Sequence, residues 1–593
     1  MLEPWILRVA VVPALLAVFV VMFSLESAPA PLPPALAADA LFEGRSALRV
    51  TRDLVEAEPD RRAGRAGDRR TAGRVAASFR RRGYATTVDP FEAEGEQLVN
   101  VVGRRPGASR RSLVVLAGRD AATVPDVAAS GADTAVLLEL ARALEGRATR
   151  KTLVLASVDG STVGGFGARR LAETMEDRDR IDAVLVLSNL GAPRARGPLL
   201  VGWSNAPGRH SLGLERTVAE ALREELIEPG APEGVGGQVA RLAFPLGVGD
   251  QGVLLENGLE AVRLSGSGEL PLPGPVTPED VDVERLGALG RSVLRTHSAL
   301  DEQAPPLRGP RSYVTVGPQL VPEWALSLLA LSLALPALAV SVDAFARARR
   351  RRAALGQWAW CIPAAGLPWL LALGVAELLA LVGLVPSAPP AAFAPALHPA
   401  GVGAAVVLGL LGLVVVGLLV FGARALRRRP ERPGALDGLG ARAALALALA
   451  ALGLLVWALN PFAALVLAPG LGLLTVALLA EWRPRSPLPV GLAVAGLVPL
   501  LAVAVHRLDP LGLGPIEGGW YALLLITGGH VSTLVTVLGC LGLGVWTLAV
   551  ASLLVRAGRP PPPPPVRATV RPGLGRHAGP GSLGGTRSAL PRR

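Results

Sequence analysis

The stretch LVVLAGRD at 113–120, followed by TLVLASVDG at 152–160, decides the fold. Each carries an apolar run of strand length, Leu113 to Ala117 and Thr152 to Ala156, and Ala183 to Leu187 and Ala261 to Leu264 repeat the pattern. Consecutive apolar positions suit a strand that is buried on both faces. Amphipathic helical patterns lie between or beside these runs, at Ser46 to Glu58, Thr71 to Arg82, Thr134 to Leu144, Ala168 to Met175, Ser211 to Leu226 and Val281 to Ser298. The alternation predicts an α/β domain with a mostly parallel sheet and helices on both faces. Such sheets bind ligands at the carboxyl ends of their strands.

Outside this region the composition changes. The chain is 51% hydrophobic and only 18% charged, with a mean hydropathy of +0.43, too apolar for a soluble chain of this length. Charged residues are dense from Leu41 to Asp301 and sparse from Leu326 to Leu554, apart from short arginine clusters. Apolar runs fall at Ile6 to Phe23, Trp324 to Val342, Trp358 to Val385, Val402 to Phe421, Ala443 to Leu459, Ala463 to Leu479, Val490 to Val505 and Val531 to Val555. Each approaches the length that crosses a hydrocarbon core. The first run is read as an uncleaved anchor, with a signal peptide as the alternative because Ala35 to Ala38 resembles a small-residue cleavage site. The shortest runs leave room for a re-entrant segment.

Basic clusters at Arg347 to Arg352, Arg424 to Arg432, Arg483 to Arg485 and from Arg556 onward follow alternate runs, so all fall on one side. By the positive-inside rule both termini are cytoplasmic and residues 39–320 lie outside. The expected division is an anchor and linker at 1–38, an extracytoplasmic domain at 39–320, a multi-pass domain at 321–556 and a basic, proline-rich disordered tail at 557–593. The net charge of +12 sits largely in the clusters and tail, so it points to lipid headgroups, and no nucleic-acid motif accompanies it. Cys361 and Cys540 both lie in apolar runs, which leaves the soluble domain without a disulfide. Heavy use of Arg, Ala, Gly and Pro suggests a GC-rich bacterial genome.

In order, LVVLAGRD at 113–120, TAVLLELAR at 134–142, TLVLASVDG at 152–160, GGFGARR at 164–170, GDQGVLLENG at 249–258 and AVRLS at 261–265 resemble the secreted zinc aminopeptidases with two co-catalytic metals. The resemblance covers most of 41–300 and implies their fold, but the metal site it implies is depleted. Gly118 stands where the family has a histidine, although Asp120 keeps the orienting carboxylate. Ala129 aligns with the bridging Asp, while Asp126 and Asp133 are out of register. Ser161 and Thr162 replace the paired glutamates, one a base and one a ligand, and Ser188 or Asn189 replaces a further Asp. No histidine lies between Ser265 and Val281. The domain's two histidines, His210 and His297, are expected at the surface of helices. Zinc needs three or four converging imidazole, thiolate or carboxylate ligands, so no metal and no cofactor is expected.

One span, a degenerate peptidase-like domain and roughly seven more spans resemble the plan of the large polytopic subunit of the eukaryotic GPI transamidase. That plan implies a non-catalytic binding or scaffold role, with membrane lipid, other membrane subunits and a peptide or lipid-linked ligand as partners. Asp120, Asp159, Asp250 and Gln251 are the candidates for lining the cleft. Two other classes stay open. One is a membrane-tethered hydrolase, either with a rearranged metal site drawn from Asp120, Asp126, Asp133, Asp159 and Asp250 or with metal-free chemistry, although no Ser-His-Asp or Cys-His arrangement stands out. The other is a transporter or lipid-handling bundle, for which the single intramembrane acid, Glu377, is the support. Glu377 should face the bundle interior, a polar groove or a partner, unless the span slides and leaves it at the outer interface.

Topology reporters test the orientation. Fusions after Arg352, Arg432, Arg485 and Arg593 should read cytoplasmic and one inserted near Pro232 should read external; a cytoplasmic signal at Pro232 would overturn the assignment.

Overall fold

The computed structural model describes residues 4–33, 38, 41–122, 128–193, 199–272, 274–303, 309–389, 392–427, 438–482 and 486–558. Asp126, the cluster at Arg483 to Arg485, most of that at Arg424 to Arg432 and the tail from residue 559 lie outside them. The chain opens with α1 (Pro4–Phe23) and β1 (Glu26–Ser27). The α/β domain then runs α2 (Gly44–Ala57), α3 (Ala66–Arg81), β2 (Ala85–Ala93), β3 (Glu96–Arg105), β4 (Ser112–Gly118), α4 (Ala128–Ala143), β5 (Thr152–Val158), α5 (Phe166–Thr174), β6 (Ile181–Ser188) and β7 (Leu200–Val201). It continues with α6 (Leu212–Glu224), α7 (Val235–Ala243), α8 (Asp250–Glu256), β8 (Ala261–Ser265), α9 (Val283–Glu302), β9 (Tyr313–Val316) and β10 (Gln319–Pro322).

The main sheet has seven strands in the order β2-β3-β5-β4-β6-β8-β7. Only its centre, β5-β4-β6-β8, is parallel; β2, β3 and β7 pair antiparallel. The sheet is therefore mixed, with the parallel strands at its centre and antiparallel pairs at both edges. The four expected strands are the parallel ones, because only they are buried on both faces. Leu113, Val115 and Ala117 join one core with α3, α4, α6 and α9, whereas Val114 and Leu116 join the other with α5 and α8. Strands β2 and β3 carry charges on partly exposed faces, so they gave no continuous apolar run to read.

After β10 the chain enters α10 (Glu323–Arg350) directly, then α11 (Trp358–Ala365), α12 (Leu367–Leu381), α13 (Val402–Arg427), α14 (Leu439–Leu459), α15 (Pro461–Leu479), α16 (Leu488–Ala495), α17 (Val498–Leu508), α18 (Pro515–Thr527) and α19 (Thr533–Ala557). Seven helices among the described residues are long and apolar enough to cross a membrane; two of these, Trp358–Leu381 and Leu488–Leu511, are compound. The apolar part of α1, Arg8–Phe23, is shorter. The compound helices break near prolines, at Pro363 and at the start of α12 and of α17, since proline lacks the N–H that an unbroken helix needs. The short apolar helix α18 was not expected; its Trp520 and Tyr521 are buried against Phe393.

Several contacts fasten the domain to one end of the bundle. β1 pairs with β10 through Glu26↔Leu320 and Ser27↔Gln319, so α1 and α10 leave the bundle side by side. Leu242 and Ala243 of α7 pack against Phe462 and Ala463. Arg507 donates to the carbonyl of Leu246 at 3.1 Å. At the far end, Arg442 donates to the carbonyl of Leu478 and Arg556 to that of Ala480, so the basic ends of these helices gather away from the domain.

Asn460 joins the two parts. Its Oδ1 accepts from the N–H groups of Phe462 and Ala463 at 2.9 and 3.1 Å, and its Nδ2 donates to the carbonyls of Leu242 and Ala243 at 2.9 and 3.2 Å. Asn460→Leu removes both the cap and the donors and should cost roughly 1–3 kcal/mol in detergent unfolding. Asn460→Asp keeps the cap alone and should fall between; equal stability of all three proteins would deny the joint.

Candidate functional site

The loops after β4 and β5 meet at Asp120. Its carboxylate accepts from the N–H groups of Ser161 and Thr162, both at 2.9 Å, and from the Thr162 hydroxyl. The Ser161 hydroxyl in turn donates to Asp250 Oδ2 at 2.7 Å. A Cβ on Gly118 would come 2.8 Å from Ser161 Oγ and 2.9 Å from Ser161 Cβ. The glycine and the serine thus fill one space between them, and a histidine at 118 has no room unless the loop moves.

The zinc pair of the family resembled does not fit these residues. Asp120 is buried and already accepts three donors, and no three His, Cys, Asp or Glu among the described residues are placed to hold a metal ion. Ala129, in the first turn of α4, is buried. Asp133, four residues on, does reach a strand end: its carboxylate accepts from the N–H groups of Asn189 and Leu190 at 2.7 and 2.8 Å. It holds the turn after β6, where Asn189 has φ +53° and donates to Ser267 Oγ at 3.0 Å. Asparagine tolerates this left-handed conformation better than most residues.

A second cluster escaped the sequence reading. Arg119, fully buried, holds Asp68 of α3 through two N–H groups and also donates to the carbonyl of Val99 at 2.7 Å. Asp159 Oδ2 lies 3.8 Å from the same guanidinium and accepts from the N–H of Val99. Burial, then the charges of Asp68 and Asp120, hold the Asp159 carboxyl well above the usual carboxylate range despite Arg119. The signal available was an arginine at the end of an otherwise apolar strand, which has to find a carboxylate if it is buried.

Asp250 and Gln251 open α8 and are buried. Asp250 Oδ1 and Gln251 Oε1 have no hydrogen-bond partner among the described residues. Burial chiefly raises the Asp250 pKa to about 6; the Asp120 charge adds to this, while the Ser161 hydroxyl and Arg263 oppose it. So Asp120, Asp159, Asp250, Ser161 and Thr162 converge, whereas Ala129 and Asn189 belong to the neighbouring strand end. Glu377 is elsewhere, exposed on α12 four residues before its end, while Ala376 beside it is buried. It faces away from the rest of the chain rather than into the bundle.

Both histidines correct the expectation of surface placement. His210 is 3% exposed and bonds to the Gly202 carbonyl and to Glu215, each at 2.9 Å. His297 is 2% exposed on the core stripe of α9, and burial holds its pKa well below the usual value.

The strand ends face the apolar helices that follow β10. A Cβ on Gly164 would lie 2.3 Å from Pro389, in the segment after α12, and Leu246 and Leu270 pack against the cluster of Phe393, Trp520 and Tyr521.

No protein-family model matches the sequence, and no curated protein matches it. Among solved structures the chain is similar to a zinc aminopeptidase from Bacillus subtilis, at 14% identity over 45% of this chain and 97% of that one with a TM-score of 0.36. It is also similar to glutaminyl cyclases from Porphyromonas gingivalis, at 20% identity over 44% and 99% with a TM-score of 0.35, and from an Acidobacteriales bacterium, at 17% over 47% and 100% with a TM-score of 0.36. The fold described above rests on strand order and helix placement, independently of these values.

The raised Asp250 pKa has a sign that can be tested. A carboxylate whose folded pKa exceeds its unfolded value loses stability as pH rises between the two, here from about 4 to about 6. Asp250→Asn removes the ionisation and should raise the unfolding midpoint at pH 7.5, by at most on the order of 3 kcal/mol, with the gain shrinking towards pH 4. A variant that is less stable at pH 7.5 than at pH 4, relative to the parent, would contradict this.

Proposed function

We propose that this chain is a non-catalytic, peptidase-like binding or scaffold subunit of a membrane complex, which presents a peptide or lipid-linked substrate. The observation that carries the reading is the filling of the Gly118 space by Ser161, with Asp120 taken up by the loop that carries it. Peptidase chemistry with zinc needs an ion to polarise the carbonyl and activate water, and a base to take the proton. Here the positions of the base and of the adjoining ligand hold hydroxyls. The seven apolar helices support a multi-pass protein of the cell membrane; the arginine clusters favour an extracytoplasmic domain at 39–320 and a cytoplasmic tail. The order of anchor, soluble domain and bundle supports a role like that of the large GPI transamidase subunit, beside other membrane subunits.

One contact favours a second reading, a metal-free hydrolase: the Ser161 hydroxyl donates to Asp250, whose pKa of about 6 suits a base. Against it stands the enclosure of Asp250, which is buried.

The full chain, purified in detergent and dialysed, should contain well under one zinc per chain. It should neither cleave aminoacyl or peptide substrates nor cyclise an N-terminal glutaminyl peptide, with or without added zinc. Stoichiometric zinc with turnover abolished by Asp120→Ala would replace the proposal with a metallohydrolase, and zinc-free turnover abolished by Ser161→Ala would promote the second reading.

A further inference from the structure

A cavity of about 900 Å³ lies between the α/β domain and the membrane helices, to one side of the strand ends. Its domain wall is formed by β7, α6 and α7, and its bundle wall by residues 394–396 and 509–512. Charges of both signs line it. Arg209 and Arg241 stack on Trp203, with guanidinium carbons 4.4 and 5.3 Å from the ring centre. Arg209 pairs with Glu215 at 2.9 Å, and Arg241 with both Glu269 and Glu233, each at 2.6 Å. Arg216 differs: its hydrogen bonds go to the carbonyls of Ala28 and Pro29, with no carboxylate partner among the described residues. Much of the remaining wall is apolar, including Leu200, Leu272 and Leu511.

A shallow, open groove along one face of α17 leads to this cavity. Val498, Leu501, Ala502, Val505, His506 and Asp509 line it, at spacings that fall on one helix face. Val498, Leu501 and Val505 are 57%, 58% and 65% exposed on a helix long and apolar enough to cross a membrane. Asp509 lines both groove and cavity. At the boundary, His506 Nε2 lies 3.0 Å from Oε1 of Glu233, itself a cavity residue. From Val498 to Asp509 the helix rises roughly 16 Å, close to half of a hydrocarbon core of about 30 Å. An apolar track one leaflet deep therefore ends in a charged chamber where the helix meets the α/β domain.

We propose that groove and cavity together hold one membrane lipid with a zwitterionic phosphate headgroup, its acyl chain along α17 and its headgroup in the chamber. The phosphate pairs with Arg216, the cation that has no internal carboxylate. The amine is matched by Asp509 at the mouth, beside Glu233, which Arg241 already holds, and the Asp509 carboxylate also disfavours a headgroup of net negative charge. A soluble peptide would occupy the chamber alone, whereas Asp509 makes the chamber continuous with the apolar face of α17. The inference deepens the proposed binding role by naming the class of ligand, and it rests on that role; zinc content and turnover do not enter its test, so the two can fail separately.

The full chain is reconstituted in phosphatidylglycerol vesicles containing a phosphatidylethanolamine with a diazirine next to its glycerol, and labelled peptides are mapped after illumination. Labelling is expected in 200–233 and 498–512, and unlabelled phosphatidylethanolamine should compete. Arg216→Ala should lower labelling of 200–233 about tenfold, roughly 1.4 kcal/mol. Because Arg216 also holds residues 28 and 29, Ala231→Trp, at an exposed position on the cavity wall, provides a second blocking variant with the same expected loss. Diacylglycerol with the same diazirine should label 498–512 alone. Equal labelling of 200–233 by diacylglycerol, or labelling untouched by both variants, overturns the proposal. Competition by free glycerophosphoethanolamine overturns the membrane source and makes the chamber a site for a soluble phosphate ester.

Discussion

The carboxylate of Asp120 fixes the geometry of the strand ends. By accepting from two consecutive N–H groups after β5 it sets the course of that loop, which delivers Ser161 against Gly118 and towards Asp250. Three segments distant in sequence are thereby locked to one another. The side chain serves as a clamp for that loop. The same carboxylate also raises the cost of ionising its neighbours, since its charge acts on both Asp159 and Asp250.

Burying so many ionisable groups is unfavourable unless each finds a partner. Arg119 and Asp68 satisfy one another through paired hydrogen bonds, and removing one member of such a buried pair costs roughly 3–5 kcal/mol. Asp159 and Asp250 are accommodated differently, through pKa values raised by enclosure. The region is thus electrostatically strained yet closed, with the segment containing Pro389 set against its outer loop. Open access lies instead beside it, in the chamber between domain and bundle.

That chamber exists because the domain is held to the bundle at several places. β10 passes into α10 without a loop, β1 adds a strand beside it, and Asn460 reaches α7 from the bundle. The chamber is the gap left between these attachments.

The sequence by itself determined what depends on continuous local pattern. The apolar runs located the seven helices long and apolar enough to cross a membrane, and the runs at 113–117, 152–156, 183–187 and 261–264 located the four parallel strands, because a segment with apolar surroundings on every side must be apolar throughout. That Gly118, Ser161 and Thr162 offer neither imidazole nor carboxylate at the strand ends was also legible. Strands β2 and β3 were not, since their partly exposed faces carry mixed residues and give no continuous apolar run, although the two pair with each other as a hairpin. Tertiary structure alone decided that His210 and His297 are buried, that Arg119 meets Asp68 and that Asp133 reaches the turn after β6. It alone decided that Glu377 faces outward and that α17 leads into a charged chamber. Each of these is a relation between segments separated in sequence, and a helix's own periodicity shows which face is apolar without showing what stands opposite it.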